Sequence, residues 1–229
     1  MRLREILKCP LDRHRRNTTL LASAPRPMIW LSLWRMKNIW FQQPLTRSFC
    51  RLLKPSVPIV AFEPLPSEAE IYSRVTAGFA NIQLHQTAMG ENAGEAEIHL
   101  SRRADSSSLL PIGETQRKLF RGTYEVGTLN IPVKRLDDFK SEWGKYSRIL
   151  LKIDVQGFEL SVLKGAVETL KNCAYVYVEC SETELYVGQA LYRDVEDFLE
   201  QQGFKFQSRD NETVVDGKLI QADYLFTCI

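Results

Sequence analysis

The chain has 229 residues, 44% hydrophobic and 25% charged, with a formal net charge of +2. That length buries one substantial core, and the composition is that of a globular protein rather than a disordered one. The charge is uneven: residues 1–50 hold ten Lys/Arg against two Asp/Glu, and the remainder holds twenty against twenty-six. The body is therefore mildly acidic and gives no case for nucleic-acid binding.

Residues 1–54 read as a basic leader, poorly integrated with the rest of the chain. They contain Trp30, Trp34 and Trp40, and no glycine precedes Gly78. Ile29–Phe41 suits a short helix with weak membrane-surface contact, an irregular leader, or the start of a truncated gene that has lost its first strand. The apolar run Met28–Trp34 is stopped by Arg35 and Lys37, far short of the roughly 18 residues of a spanning helix. A continuous apolar stretch with a small-residue cleavage site is missing too, so no secretory signal is expected.

Residues 55–229 have the grammar of a doubly wound α/β domain. Val57–Phe62 is a short apolar run suited to a buried parallel strand, and Ser67 with Glu70 spells a capping box that opens a helix ending near Gly78. Asn81–Thr87 reads as a strand, Gly90–Gly94 as a turn and Ala96–Leu100 as a strand. A polar loop from Asp105 passes Pro111 and Gly113. Tyr124–Lys134 is extended and leads to Asp137, a candidate helix cap. Ile149–Asp154 is the expected central strand. The helix after it places Leu163, Ala166, Val167 and Leu170 on one face. Ala174–Cys180 is a further buried strand, Leu191–Leu199 a helix stopped by Gly203, and Phe204–Gln207 and Tyr224–Cys228 an antiparallel pair turning at Asp216-Gly217.

Cys9, Cys50, Cys173, Cys180 and Cys228 form no C-x-x-C pair; a disulfide framework or zinc site is not expected, and a reducing cytoplasm fits. His14, His85 and His99 lack metal-ligand spacing, which leaves His85 and His99 as solvated or structurally hydrogen-bonded groups.

Four carboxylates end or succeed apolar runs. Glu63, at the tip of the second strand, suits ribose hydroxyls, which need a bidentate acceptor; the bland reading is a solvated loop glutamate. Asp154, at the end of the central strand, suits a cationic group or an acceptor hydroxyl, or else a helix cap. Glu159 is either a first-turn dipole complement or a site carboxylate. Glu179 ends the run Tyr175-Val176-Tyr177-Val178-Glu179, and buried strands seldom finish on a carboxylate for packing. Lys152 inside its strand requires an ion-pair partner, and Gly157 allows a tight strand-to-helix turn.

The segment Leu151-Lys152-Ile153-Asp154-Val155-Gln156-Gly157-Phe158-Glu159, together with Val162-Leu163-Lys164-Gly165-Ala166, resembles the hallmark of FkbM-type S-adenosylmethionine-dependent methyltransferases. Val60-Ala61-Phe62-Glu63-Pro64 and the serine-rich loop Asp105-Ser106-Ser107-Ser108-Leu109-Leu110 are similar to other parts of that family. The resemblance spans about residues 57–207. It implies a Rossmann-like class I methyltransferase sheet, S-adenosyl-L-methionine as methyl donor and O-methylation of a hydroxyl on a small molecule or glycan. It implies ribose binding by Glu63, a place for Asp154 at the site edge and for Ala88 at the adenine pocket. Joined to the strand-end readings above, Asp154 is a candidate for cofactor binding and, with Glu159 and Glu179, for catalysis; the Ser106–Ser108 hydroxyls suit adaptable hydrogen bonding on a mobile loop or belong to an ordinary polar loop. One departure stands out. The family opens its domain with a strand and a glycine loop, whereas this chain has Cys50-Arg51-Leu52-Leu53-Lys54 before the Glu63 strand. The first strand is therefore expected to be missing or replaced and activity impaired; the alternative is a non-catalytic binding protein on the same scaffold.

Overall fold

A computed structural model describes residues 58–146 and 148–229, and the backbone course of 28–33. Its main sheet contains β1 (Met28–Leu33), β2 (Ile59–Phe62), β3 (Ile82–His85), β7 (Arg148–Ile153), β8 (Cys173–Ser181), β9 (Phe204–Val215) and β10 (Lys218–Cys228). A small sheet holds β4 (Ala88–Met89), β5 (Gly94–Ser101) and β6 (Glu125–Lys134). The helices are α1 (Pro66–Thr76), α2 (Glu114–Leu119), α3 (Lys140–Trp143), α4 (Glu159–Lys164), α5 (Val167–Leu170) and α6 (Tyr192–Gln201). The main sheet has the order β3-β2-β1-β7-β8-β10-β9. The first five strands of that order are parallel, and β10 runs antiparallel to both β8 and β9. The terminal hairpin turns through Asp216 and Gly217, whose φ values of 50° and 74° are those of a tight two-residue turn.

β1 corrects two expectations. Leu33 stands level with Phe62 on one side and Ile153 on the other, so Met28–Leu33 is an interior strand of the sheet rather than part of a detached leader. The first strand is thus replaced from within the N-terminal segment, and a boundary at 54–55 cuts the sheet. The helix expected from Ile29 is a strand as far as Leu33; the remainder of 1–54 lies outside the described residues. Without β1, the inner backbone groups of β2 and β7 would lack partners, and an unpaired buried amide costs a hydrogen bond's worth of free energy. That demand outweighs a weak local preference, and a run apolar at every position but Ser32 suits an interior parallel strand.

Side chains alternate cleanly across the sheet. Val60, Phe62, Ile149, Leu151, Ile153, Val176, Val178, Tyr224 and Phe226 join the main core, while Ile59, Leu150, Tyr177 and Leu225 form a smaller cluster on the opposite face. The main core also takes in residues of α4, α5 and α6 and reaches the small sheet, whose order is β4-β6-β5. No helix among the described residues is long and apolar enough to cross a membrane.

Three local expectations change. Helix α1 starts on Pro66 with Leu65 at its N-cap and no side-chain cap, so the Ser67–Glu70 capping box does not form. Proline at the first position, whose missing N–H needs no partner, fixes the start instead. Asp137 caps a helix distant in sequence: its carboxylate accepts from the amides of Glu168 (3.1 Å) and Thr169 (2.8 Å) at the start of α5. The single helix expected after β7 is two, broken at Gly165–Ala166 where the backbone of Gly90 presses against Gly165.

Candidate active site

In open α/β sheets, ligands bind beyond the carboxyl ends of the strands where the strand order reverses. Here β1 lies between β2 and β7, and the order reverses across it. Glu63 comes directly after β2 and is buried; its Oε1 accepts the Leu65 amide at 2.9 Å, while its own amide donates to the His85 carbonyl at 3.0 Å. The solvated-loop reading therefore does not apply. Two strand spacings of about 4.8 Å separate β2 from β7, so Glu63 stands on the opposite side of β1 from the other carboxylates.

On the β7 side the carboxylates meet. Lys152 shares the Leu150 face of the sheet, and its Nζ lies 3.1 Å from Asp154 Oδ2. Burial pulls the Lys152 ammonium's pKa down, but Asp154, Asp223 and Glu179 more than offset it and leave it raised. Gln156 Nε2 donates to Asp154 Oδ1 at 3.0 Å and to Glu179 Oε2 at 2.8 Å. Glu179 Oε1 also accepts from Gln221 Nε2 at 3.3 Å. Asp154 does not cap α4, whose N-cap is Phe158; its acceptors serve the lysine and the glutamine.

Glu159 is engaged locally. Its Oε1 accepts the amides of Val155 (3.3 Å) and Gly157 (3.0 Å) and so closes the turn after β7. Burial pushes its carboxyl up to about 7, against the lowering effect of those amides. A folded-state pKa above the ordinary 4.5 means that this group's contribution to stability is complete below about pH 4.5 and lost as pH rises through 7. Wild type should therefore lose up to about 1.4 kcal/mol per pH unit across that window from this carboxyl. Glu159→Gln, whose amide oxygen can accept the same two bonds, should lack that slope. Urea unfolding at pH 5, 6, 7 and 8 measures it, and parallel slopes for the two proteins would remove Glu159 as the titrating group.

The serine loop is packed into the fold. Ser106, Ser107 and Ser108 are all buried. Ser107 Oγ accepts the Ser101 amide at 3.1 Å, and Ser108 Oγ donates to the Gln156 carbonyl at 2.7 Å while accepting the Leu110 amide at 3.0 Å. Ser108 thus ties the loop to the β7 turn and Ser107 ties it to β5, because a serine hydroxyl offers both a donor and acceptors to backbone groups. Ala88 is buried in β4 and pairs with Val133. His85 and His99 bond to Glu142 and Glu125, each at 2.9 Å, and no metal-binding group occurs among the described residues.

Sequence reasoning missed the parts played by Gln156, Tyr186 and Asp223. Gln156 joins two carboxylates, and Tyr186 donates to Gln156 Oε1 at 2.8 Å. Asp223 on β10, level with Glu179, accepts from Tyr177 Oη (3.0 Å) and Asn211 Nδ2 (2.6 Å). Burial raises the Asp223 carboxyl's pKa despite nearby Lys152. The one local signal was the alternation Tyr175, Tyr177, Glu179, which places polar tips on the Lys152 face.

The family model described as "Methyltransferase FkbM domain" matches residues 43–206. Among curated proteins, "2-O-methyltransferase NoeI" of Sinorhizobium fredii is 29% identical over 153 residues, 64% of this chain and 63% of that protein. "Methyltransferase 1" of Beauveria bassiana is 32% identical over 126 residues, 48% of this chain and 49% of that protein. Among solved structures, methyltransferase FkbM from Methylobacillus flagellatus superposes with a TM-score of 0.51 at 14% identity, covering 87% of this chain and 43% of that one. The chain thus spans less than two thirds of each of these relatives. With the matched segment holding β2, β3, β7 and β8 and the carboxylates at their ends, the chain belongs to the FkbM methyltransferase family.

Proposed function

We propose that the chain acts as an S-adenosylmethionine-dependent methyltransferase that places a methyl group on the hydroxyl of a small molecule or sugar. The observation that carries this reading is the placement of carboxylates on both sides of β1: Glu63 after β2, and Asp154 with Glu179 at the ends of β7 and β8. The similarity to a protein named as a 2-O-methyltransferase supports oxygen as the acceptor atom.

The residues fit the ribose end of the cofactor better than its methionine end. Glu63 is an acceptor-only carboxylate fixed at the sheet edge by the Leu65 amide, suited to a pair of ribose hydroxyls. Ala88 is the corresponding choice for the adenine side. At the methionine end, β1 ends at Leu33 and the next residue is Trp34, with no glycine before Gly78. A Cβ at each position limits how closely backbone approaches a ligand, so affinity should be weak for the family. When bound, S-adenosylmethionine supplies an electrophilic methyl group. The chain's own task is to orient the acceptor: Asp154 and Glu179 accept its hydroxyl hydrogen bond, Lys152 balances their charge, and Glu159 holds the turn behind them. The buried thiols Cys173 and Cys180 are free of any disulfide, and we place the protein in a reducing cytoplasm on that ground.

Calorimetric titration with S-adenosylmethionine and its demethylated product tests this reading. Micromolar binding is expected if other contacts replace the glycine loop; no binding at millimolar ligand would favour a non-catalytic binding role on this scaffold. Glu63→Gln should weaken cofactor binding by about 1–3 kcal/mol, the scale of a hydrogen bond to a charged group. Equal affinity for the two proteins would remove the ribose assignment.

A further inference from the structure

Gln156 sits where a side chain is costly. Its φ is 59°, in the left-handed region, directly before Gly157 at 96°. A non-glycine residue there is strained and persists only where its surroundings require it. The side chain is buried. Its Nε2 donates to both Asp154 Oδ1 (3.0 Å) and Glu179 Oε2 (2.8 Å), and its Oε1 accepts from Tyr186 Oη (2.8 Å). The amide's orientation comes from chemistry: ionised carboxylates only accept, so the two N–H bonds face them and the oxygen is left for the tyrosine hydroxyl. The one amide nitrogen thus bridges the two carboxylates. Tyr186 is itself anchored, since its hydroxyl lies 3.1 Å from the Ser106 carbonyl and accepts from Gln116 Nε2 at 3.3 Å.

We propose that Gln156 is a positioning residue whose amide keeps Asp154 and Glu179 ionised and at a fixed separation, as the pair that receives the acceptor hydroxyl. The inference rests on the methyl-transfer reading for its purpose and on the hydrogen bonds for its geometry. The titratable groups bonded to the amide or coupled to this cluster are Lys152 and Asp154 from β7 and its turn, Glu159 from α4, Tyr177, Glu179 and Cys180 from β8, Glu182 and Tyr186 from the loop after it, and Asp223 from β10. Lys152, 3.1 Å from Asp154, offsets their negative charge. The amide acts between the two carboxylates, where like charges would otherwise draw in a shared proton.

Protein carrying 13C at its Asp and Glu carboxyls, titrated by NMR, tests this without any ligand; Asp154→Asn and Glu179→Gln assign the two signals. Gln156→Glu keeps the shape but exchanges two donors for an acceptor, so the Asp154 or Glu179 midpoint should rise by about one pH unit or more. Gln156→Met removes the donors without adding charge and should give a smaller rise, which also serves if the glutamate variant does not fold. Tyr186→Phe, which removes only the hydroxyl orienting the amide, should shift the same signals in the same direction by less. Unchanged midpoints in folded Gln156 variants, with the effect confined to thermal stability, would overturn the inference and leave Gln156 as a turn residue. Cofactor titration of the wild type separates the two failures: absence of binding removes the methyl-transfer reading, whereas the carboxyl midpoints decide the role of the amide.

Discussion

Gly165→Ala is expected to destabilise the fold by about 3 kcal/mol, the upper end of ordinary overpacking costs. A Cβ at Gly165 would fall on the carbonyl oxygen of Gly90, with the Gly90 carbonyl carbon 2.9 Å away. Both atoms are backbone, so no rotamer change relieves the overlap. Neither side moves easily. The Gly90 amide donates to the Lys134 carbonyl at 3.0 Å, and the Glu91 amide to Ser161 Oγ at 3.1 Å. The Gly165 carbonyl in turn accepts the Asp137 amide at 3.1 Å. The clash therefore pries the small sheet from α4 and α5. Gly78→Ala is the control: a Cβ there meets nothing within 4 Å, and stability should stay within about 0.5 kcal/mol of wild type. Urea unfolding compares them, and a Gly165→Ala loss below about 1 kcal/mol, the lower end of that range, would mean that the Gly90 segment yields freely.

Lys152→Met should cost about 3–5 kcal/mol at pH 7.5, because it leaves buried carboxylate charge without its cation. Lys152 and Asp154 are both buried and 3.1 Å apart, with Glu179 and Asp223 close by. In wild type the lysine's pKa is raised, so its contribution is complete at neutral pH and is lost only as pH climbs through the folded-state value. In the variant the carboxylates' folded pKa values rise above their unfolded ones. The deficit should therefore be largest above neutrality and shrink as pH falls and the carboxylates take up protons. Lys152→Met with Asp154→Leu removes both partners and should recover part of the loss, since a vacated ion pair filled by apolar groups is often tolerated. A deficit equal at pH 5 and pH 8 would show lost packing rather than lost charge compensation.

Much of the candidate site's layout was legible because its residues are local to strand ends. The apolar run to Ile153 with Asp154 and Gly157 after it specifies a buried strand and a tight turn within one stretch of chain, and the structure has both. Glu63 after β2 and Glu179 near the end of β8 come from the same grammar. Lys152 between buried neighbours demanded a partner, and Asp154, two residues on and at the same sheet face, is that partner. What was not legible is how these groups are joined. Gln156 reads as motif filler until β8 brings Glu179 beside Asp154, and Tyr186 reads as loop until it folds back over the β7 turn.

By itself the sequence determined the alternation of strands and helices, the buried runs of β2, β7 and β8, the terminal hairpin and the family, since each rests on spacing within one segment or on an unbroken motif. Tertiary structure alone decided that Met28–Leu33 is an interior strand, that Asp137 caps α5, that the helix after β7 breaks at Gly165, and that Ser106–Ser108 are buried. In each of these cases the deciding partner is distant in sequence: two strands with open inner edges, a helix start about thirty residues away, a glycine carbonyl, a turn backbone. Periodicity records which face of a segment is apolar; what stands opposite that face is fixed only when the chain closes on itself.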